Sequence, residues 1–418
     1  MARYANWLVA SVLALAAQAM GQAPPRKSTA AIAPALESPV SAEICGDCHR
    51  GAHEGWKASG HAHAMDSRLF QDALHYAEVD LGAGARETCL GCHAPVAAAT
   101  GDPGLHTKVA WEGVTCDYCH SVRDVSQGGP NPVANVEYTR ARTGPWKGES
   151  PSRHGALASE LHKSSLLCSI CHEYRNANGL ALVTTYSEWR ASSYAKEGHE
   201  CQTCHMPSVG RVDLVQRIVA TGTSVERHSH CEGCHEVTAA GQPASGAPGP
   251  NSGLRDRGKV NLHDTEGSRS KELLTTAIAA QLTAVREGGR IRVNVEVTNR
   301  GAAHYVPTGS PLRRLVLEVR ADTDTGRHAI QERIYRRAIA DSEGRPVERE
   351  PLLFVRGVKV IADTRLAPEE KRAETFVFDA EPGVETRVTA ALSYVYSPLE
   401  MTESRTSATF LTLGAVVR

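Results

Sequence analysis

Six times between residues 45 and 235, two cysteines stand three positions apart with a histidine directly after the second. The copies are Cys45/Cys48/His49, Cys89/Cys92/His93, Cys116/Cys119/His120, Cys168/Cys171/His172, Cys201/Cys204/His205 and Cys231/Cys234/His235. Together they use all twelve cysteines of the chain, leaving none for a disulfide or a free thiol. Two thiols at this spacing can add to the two vinyl groups of one porphyrin, and the adjacent imidazole then reaches the iron from one side. A four-cysteine zinc site or a redox dithiol would use the same pairs, but neither needs a histidine after every one. The expectation is six covalent haem c groups, with the six motif histidines as proximal iron ligands.

The opposite face of each iron needs a second ligand. Of the 19 histidines, thirteen lie outside the motifs, enough for every haem to be bis-histidine. Beyond the N-terminal segment only Met65, Met206 and Met401 offer a thioether, and Met206 directly follows a proximal histidine. Two histidines keep an iron at lower potential than histidine plus methionine, which suits a low-potential carrier. An internal echo helps to choose: Trp56-Lys57-Ala58-Ser59-Gly60-His61 matches Trp189-Arg190-Ala191-Ser192-Ser193-Tyr194. His61 then reads as a distal ligand. Tyr194 either packs against a haem or lines an open iron. His154 and His162 precede the fourth motif at similar distances, and one of them suffices. His228 or His230 serves beside the sixth motif, His106 stays open, and His199 is constrained by its nearness to Cys201. His53, His75 and His328 read as surface residues. His304 sits in Ala303-His304-Tyr305-Val306-Pro307-Thr308-Gly309, a tight turn able to push its imidazole toward a haem.

The elements that must hold these groups fall into two kinds. Aromatic residues are only 5 % of the chain, so porphyrin must supply much of the apolar surface in the motif-rich half. That half, residues 40–238, is expected to be short helices and long loops without a sheet, with 121–153 an extended surface loop. Residues 239–262, rich in Gly, Pro, Ser and Ala, read as a linker. In residues 263–418 a helix over Ser270 to Glu287 is expected first. Strands follow, since Ile291, Val293, Val295 and Val297 alternate with polar residues, as do Leu315, Leu317 and Val319. Similar stretches surround Phe376 to Phe378, Val388 to Tyr396 and Ala408 to Val417. The fold class is α+β: a multihaem domain followed by an antiparallel sandwich of immunoglobulin-like type.

The N-terminus addresses the compartment. A basic start at Arg3, an apolar run from Trp7 to Ala17 and small residues up to Gly21 make residues 1–21 a secretory signal peptide, too short to span a membrane. Export to the periplasm, with the cell surface as the lesser alternative, agrees with where covalent haem attachment takes place. The formal charge of -1 points to no nucleic-acid partner, and haem propionates would make the real balance negative. No later segment resembles a membrane helix.

Several runs resemble the cytochrome c-552/4 family of bacterial multihaem proteins. They are Cys45-Gly46-Asp47-Cys48-His49-Arg50 followed by Trp56, Ser59 and His61; Gly113-Val114-Thr115-Cys116; and Tyr186-Ser187-Glu188-Trp189 leading to Cys201 through Pro207. His263-Asp264-Thr265-Glu266-Gly267 and His304 with Pro307, Thr308, Gly309, Pro311 and Arg313 resemble elements of longer members. The resemblance implies a compact haem array akin to the tetrahaem cytochrome of ammonia oxidisers, and adds His263 to His61 and His304 as distal ligands. Six motifs exceed the tetrahaem pattern, so haem pairing does not carry over. No C-x-x-C-K motif occurs, which removes the usual mark of a pentahaem nitrite reductase site.

Three functions are compatible with these features. The leading expectation is a periplasmic electron carrier with a packed haem row, exchanging with redox proteins such as a quinol dehydrogenase or a terminal reductase. The alternative is an oxidoreductase acting on a small nitrogen or sulfur compound at one five-coordinate haem, with Tyr194, Arg190 and His199, beside Lys196, as candidate catalytic groups. A third reading is a polymerising extracellular haem wire.

Overall fold

Residues i and i+3 share one face of a helix, so a pair of thiols at that spacing comes together when the motif forms a single helical turn. The computed structural model, which describes residues 37–47, 49–82, 84–145, 154–207, 261–399 and 405–418, folds the second to fifth motifs in this way. Helices α1 (Ala42–Gly46), α4 (Gly84–His93), α6 (Cys116–Cys119), α7 (Leu166–His172) and α10 (Cys201–His205) each carry motif residues. Side chains cap two of them: Ser41 Oγ accepts from Glu43 N–H in α1, and Thr115 Oγ1 accepts from Tyr118 N–H in α6. Cys48, the sixth motif with His228 and His230, the expected signal peptide and nearly all of the expected linker lie outside the described residues.

Between these turns run α2 (Arg50–Ala58), α3 (Arg68–Leu81), α5 (Pro95–Thr100), α8 (Thr185–Ala191) and α9 (Ser193–Lys196). The expected absence of sheet here is corrected. Strands β1 (Val122–Ser126) and β2 (Val133–Val136) pair antiparallel, closing a hairpin across Gly128-Gly129-Pro130. Strand β3 (Ala141–Gly144) pairs in parallel with β4 (Gly155–Ala158), and β5 (Tyr174–Arg175) pairs with β6 (Ala181–Val183). The glycines and prolines of 121–153 thus punctuate short strands rather than an open loop. Side-chain cores in this half are small. One gathers Met65, Leu90, Ala94, Ala97, Leu105 and Ala110, and another Val96, Val109, Tyr118 and Val122.

The C-terminal part begins with a helix, Lys271–Ala277, capped by Ser270 Oγ on Leu273 N–H. It is shorter than expected, because the chain turns extended at Ile278 and continues as β7 (Ile278–Glu287). Ile278, Ala280, Leu282 and Ala284 pack toward the core at period two; alanine-rich composition hid that alternation. Strands β8 (Arg290–Asn299), β9 (Arg313–Thr323) and β10 (His328–Tyr335) follow. After a short pair, β11 (Arg337–Ala340) with β12 (Lys359–Asp363), come β13 (Lys371–Asp379), β14 (Thr386–Tyr396) and β15 (Thr406–Val417). Helix Glu350–Arg356 lies between β11 and β12.

Two antiparallel sheets result, with strand orders β13-β8-β7 and β10-β9-β14-β15. Ile291, Val293, Val295 and Val297 of the first share one core with Leu315, Leu317, Val319, Val388, Ala390 and Leu392 of the second. A third cluster joins this part to the motif-rich half: Leu182 of β6 packs with Leu312, Ile339, Val347 and Leu353. Beside it, Asn176 Nδ2–H donates to the carbonyls of Leu353 and Gly357 at 3.1 and 2.8 Å. Phe376 is fully enclosed in the sandwich core and carries the Arg333 guanidinium 4.8 Å from its ring centre. Phe376→Ala should lower unfolding free energy by about 3–5 kcal/mol, measured by denaturant titration, through lost burial and the cavity left behind.

Candidate functional site

A cavity of about 2400 Å³ threads the motif-rich half. It is lined by Cys45, by the cysteine pairs of the second to fifth motifs, and by His49, His93, His120, His172 and His205. None of the nine described cysteines forms a disulfide. Thiols of different motifs touch: Cys45 meets Cys116, Cys92 meets Cys171, and Cys168 meets Cys201. Neighbours in space are therefore the first motif with the third, the second with the fourth, and the fourth with the fifth.

The histidines show whether this cavity fits haem. An imidazole nitrogen sits about 2 Å from a bound metal ion, so two rings on opposite faces of one iron have centres roughly 6 Å apart. Four motif histidines face another histidine at that spacing. His49 faces His154 at 6.1 Å, His172 faces His61 at 6.3 Å, His120 faces His263 at 6.4 Å and His205 faces His304 at 6.3 Å. On five of these eight rings, and on His93, the proton is placed as a metal ligand requires. Nδ1–H donates to a backbone carbonyl in His93 (Ala64, 3.0 Å), His120 (Thr143, 2.6 Å), His154 (Gly155, 2.9 Å), His205 (Glu266, 2.6 Å), His263 (Asn261, 3.0 Å) and His304 (Tyr305, 2.9 Å). Nε2 is then bare in each and free to bind iron. His61 Nδ1 lies 3.3 Å from Thr265 Oγ1. When bound, haem would supply an iron able to change oxidation state at each of these positions.

Ligand partners do not follow sequence neighbourhood. His61, just after the first motif, faces the fourth; His154, just before the fourth, faces the first. His162 also stacks on His120, at 5.5 Å, but its Nε2 is bonded to the Cys119 carbonyl at 3.0 Å, the reverse of the ligand arrangement. His106 is exposed and tied to Asp102, while His63 pairs with Asp66. His53 corrects its surface reading: its side chain is 12 % exposed, tucked against Trp56, with ring centres 5.6 Å apart.

The internal echo is a matched pair of tethers. Trp56 Nε1–H donates to the Val114 carbonyl, two residues before Cys116, at 2.7 Å. Trp189 Nε1–H donates to the His199 carbonyl, two residues before Cys201, also at 2.7 Å. Each indole thus fixes the approach to a motif turn. Tyr194 stands where His61 stands in the first copy, yet its hydroxyl donates to the Arg300 carbonyl at 3.2 Å. Arg190 is exposed and His199 pairs with Glu197 at 3.6 Å. The ring across from His205 is His304, so these three candidates do not front the fifth iron.

His304 is held by a residue that sequence reading passed over. The buried Glu188 carboxylate of α8 accepts from Tyr305 N–H and Thr308 Oγ1 through Oε2, and from Arg365 and Thr184 through Oε1. Both oxygens are satisfied, and the partners lie on either side of the junction with the sheets. A buried charge needs such pairing, which was a legible signal in Tyr186-Ser187-Glu188-Trp189 only once its partners were known.

His93 differs from the other four motif histidines. Its ring stacks on Phe70 with centres 3.9 Å apart, and among the described residues no histidine faces it across a gap. Burial, and then the charge of Arg313, push its pKa down. Burial likewise lowers His49 and His263 to about 4 and His172 to about 3.

Residues 44–121 match the family described as cytochrome c554 and c-prime. The fold superposes on a crystal structure of a penta-heme cytochrome c552 from Thermochromatium tepidum with a TM-score of 0.67 and 21 % identity, covering 91 % of this chain and 100 % of that one. At that identity the likeness is one of fold. No curated protein matches the sequence. Among the described residues, no helix is long and apolar enough to cross a membrane.

A test follows. Gly113, at φ +70°, presses against the His61 carbonyl, leaving no room for a Cβ. Gly113→Ala adds left-handed strain of roughly 1–3 kcal/mol and displaces His61. Electron paramagnetic resonance should then show one more high-spin iron than in the wild type. The motif constellation, the matched segment and the shared fold together identify the chain as a multihaem c-type cytochrome.

Proposed function

We propose that the protein is an exported hexahaem electron carrier of the periplasm, with one haem on each C-x-x-C-H motif. The observation that carries this reading is the set of four opposed histidine pairs along one cavity, with Nε2 left bare in five of the eight rings. Two imidazoles per iron leave no position for substrate, keep potentials low and suit outer-sphere transfer. The thiol contacts support a packed haem array that branches at the fourth motif as one form of the expected row. The fourth motif touches the second through Cys171 and the fifth through Cys168. The charge of Cys119 of the third also acts on both those thiols. The fourth haem is then the exchange point between the others. Redox proteins, a quinol dehydrogenase or a terminal reductase, are the partners this role needs.

The domain division at 40–238 and 263–418 belongs to the same proposal. Strand order supports the immunoglobulin-like reading of the second domain. With β7, β8 and β13 in one sheet and β9, β10, β14 and β15 in the other, the order is that of a seven-stranded sandwich of that class.

A second reading, an oxidoreductase acting on a small nitrogen or sulfur compound, is favoured by one observation: His93 has no opposing histidine among the described residues. That moves the candidate open iron from the fifth motif to the second.

The carrier reading is tested by His61→Met. A thioether ligand raises the potential of the fourth haem and sets an electron trap at the branch. Stopped-flow reduction should show slowed redistribution among the remaining haems, with intact mass reporting six attached groups. Unchanged kinetics would contradict the exchange role, and a mass short of six groups would correct the count.

A further inference from the structure

Haem ligation leaves one polar cluster contributed by the sheets without a role. Arg313, at the start of β9, is half-buried and lines the haem cavity, with its Nε shielded from solvent. Nη1 donates to the Thr308 carbonyl at 3.4 Å and the side chain meets the Tyr394 hydroxyl, but Nε finds no hydrogen-bond acceptor. The guanidinium carbon lies 5.5 Å from the centre of the Tyr396 ring. The Tyr396 hydroxyl donates to Glu350, which also accepts from Ser310. Burial pushes the Glu350 carboxyl up from its usual range, and the nearby Arg313 guanidinium favours its charged form. All of these residues line the cavity.

The cluster belongs to the neighbourhood of the second motif. The charge of Arg313 acts on His93 and also on His172 of the fourth motif, while the charge of Glu350 acts on Cys89 and its helix packs against α3, whose Phe70 stacks on His93. Four described motif histidines have an imidazole across from them and need nothing further. The fifth, His93, has none among the described residues, and the cavity's unsatisfied guanidinium stands within its electrostatic reach. A buried cation with an unmet donor costs free energy unless a ligand supplies an acceptor.

We propose that Arg313, framed by Tyr396 and Glu350, is the anion-binding residue of a site beside the second-motif haem that takes a small inorganic oxyanion. Such a ligand offers a lone pair to an open iron face and a second oxygen to the guanidinium. Monovalent, compact anions fit best, because Glu350 limits the positive charge available. The inference rests on the second reading above, that this iron is open.

The test uses the full-length holoprotein, nitrite as probe, and low-temperature electron paramagnetic resonance with optical titration. The wild type should show one high-spin iron that becomes low-spin as nitrite is added. Arg313→Gln should keep haem content and the resting high-spin signal but weaken nitrite half-saturation roughly 10- to 100-fold, the scale of a lost charge-assisted hydrogen bond. Imidazole, a neutral iron ligand, should bind both proteins alike. Glu350→Gln, nearly isosteric, removes the competing carboxylate and should tighten nitrite binding, so the proposal stays testable should the arginine variant fail to fold. Absence of any high-spin iron in the wild type would overturn the open-iron reading itself. A high-spin iron whose nitrite affinity changes less than about threefold in Arg313→Gln would leave that reading standing and overturn the proposal, making Arg313 a partner of haem propionates instead. Unaltered or weakened binding in Glu350→Gln would overturn it equally.

Discussion

Much of the motif-rich half depends on a hydrogen bond from ring to main chain, made by six of the histidines that line its cavity. A buried imidazole is costly when charged and useless to iron when its Nε2 carries the proton. Donation from Nδ1 to a main-chain carbonyl removes both difficulties. It fixes the tautomer, sets the ring plane and leaves the other nitrogen bare. Loops with little regular structure become rigid where they must, because carbonyls of Ala64, Thr143, Gly155, Asn261, Glu266 and Tyr305 each hold one ring. The modest side-chain cores of this half make sense in the same way. With Met65, Leu90 and a few alanines as one core, much of the packing surface is left to the cofactors that the cavity is shaped to receive.

The sheets are more than a lid on this arrangement. They hold the turn bearing His304, the guanidinium of Arg313 and the Glu350–Tyr396 pair. The Glu188–Arg365 contact locks α8 to that turn through a carboxylate whose oxygens are both engaged. Removing either charge would strand the other in a desolvated place, so the pair acts as a latch whose worth lies in registration more than in net stability. Through it the tether made by Trp189 and the ligand made by His304 are parts of one construction around the fifth motif.

Sequence made the attachment chemistry plain because thioether formation demands a fixed local spacing, and locality is what a chain displays. The alternating valines of β8 and the leucines of β9 were legible for the same reason. Ligand partnership was not, since it is decided by tertiary folding: His61 and His154 each face a motif other than their neighbour. The alanine-rich 278–284 stretch read as helix because small residues fit either period, and pairing with β8 settled the matter. His53 read as exposed because nothing in its neighbours announces the enclosure against Trp56. Arg313 was visible only as part of a resembling run. Its unmet donor is a property of the folded cavity.

The ring facing His205 comes from a turn almost one hundred residues later in the chain, just ahead of β9. Iron at the fifth motif thus cannot acquire its second nitrogen until the sheets have folded and docked. Attachment chemistry, being local, can finish earlier on an emerging chain. The coordination state of that iron is consequently a completion signal for biogenesis: a truncated or misassembled molecule would carry its cofactors and still announce itself by an electronically different centre.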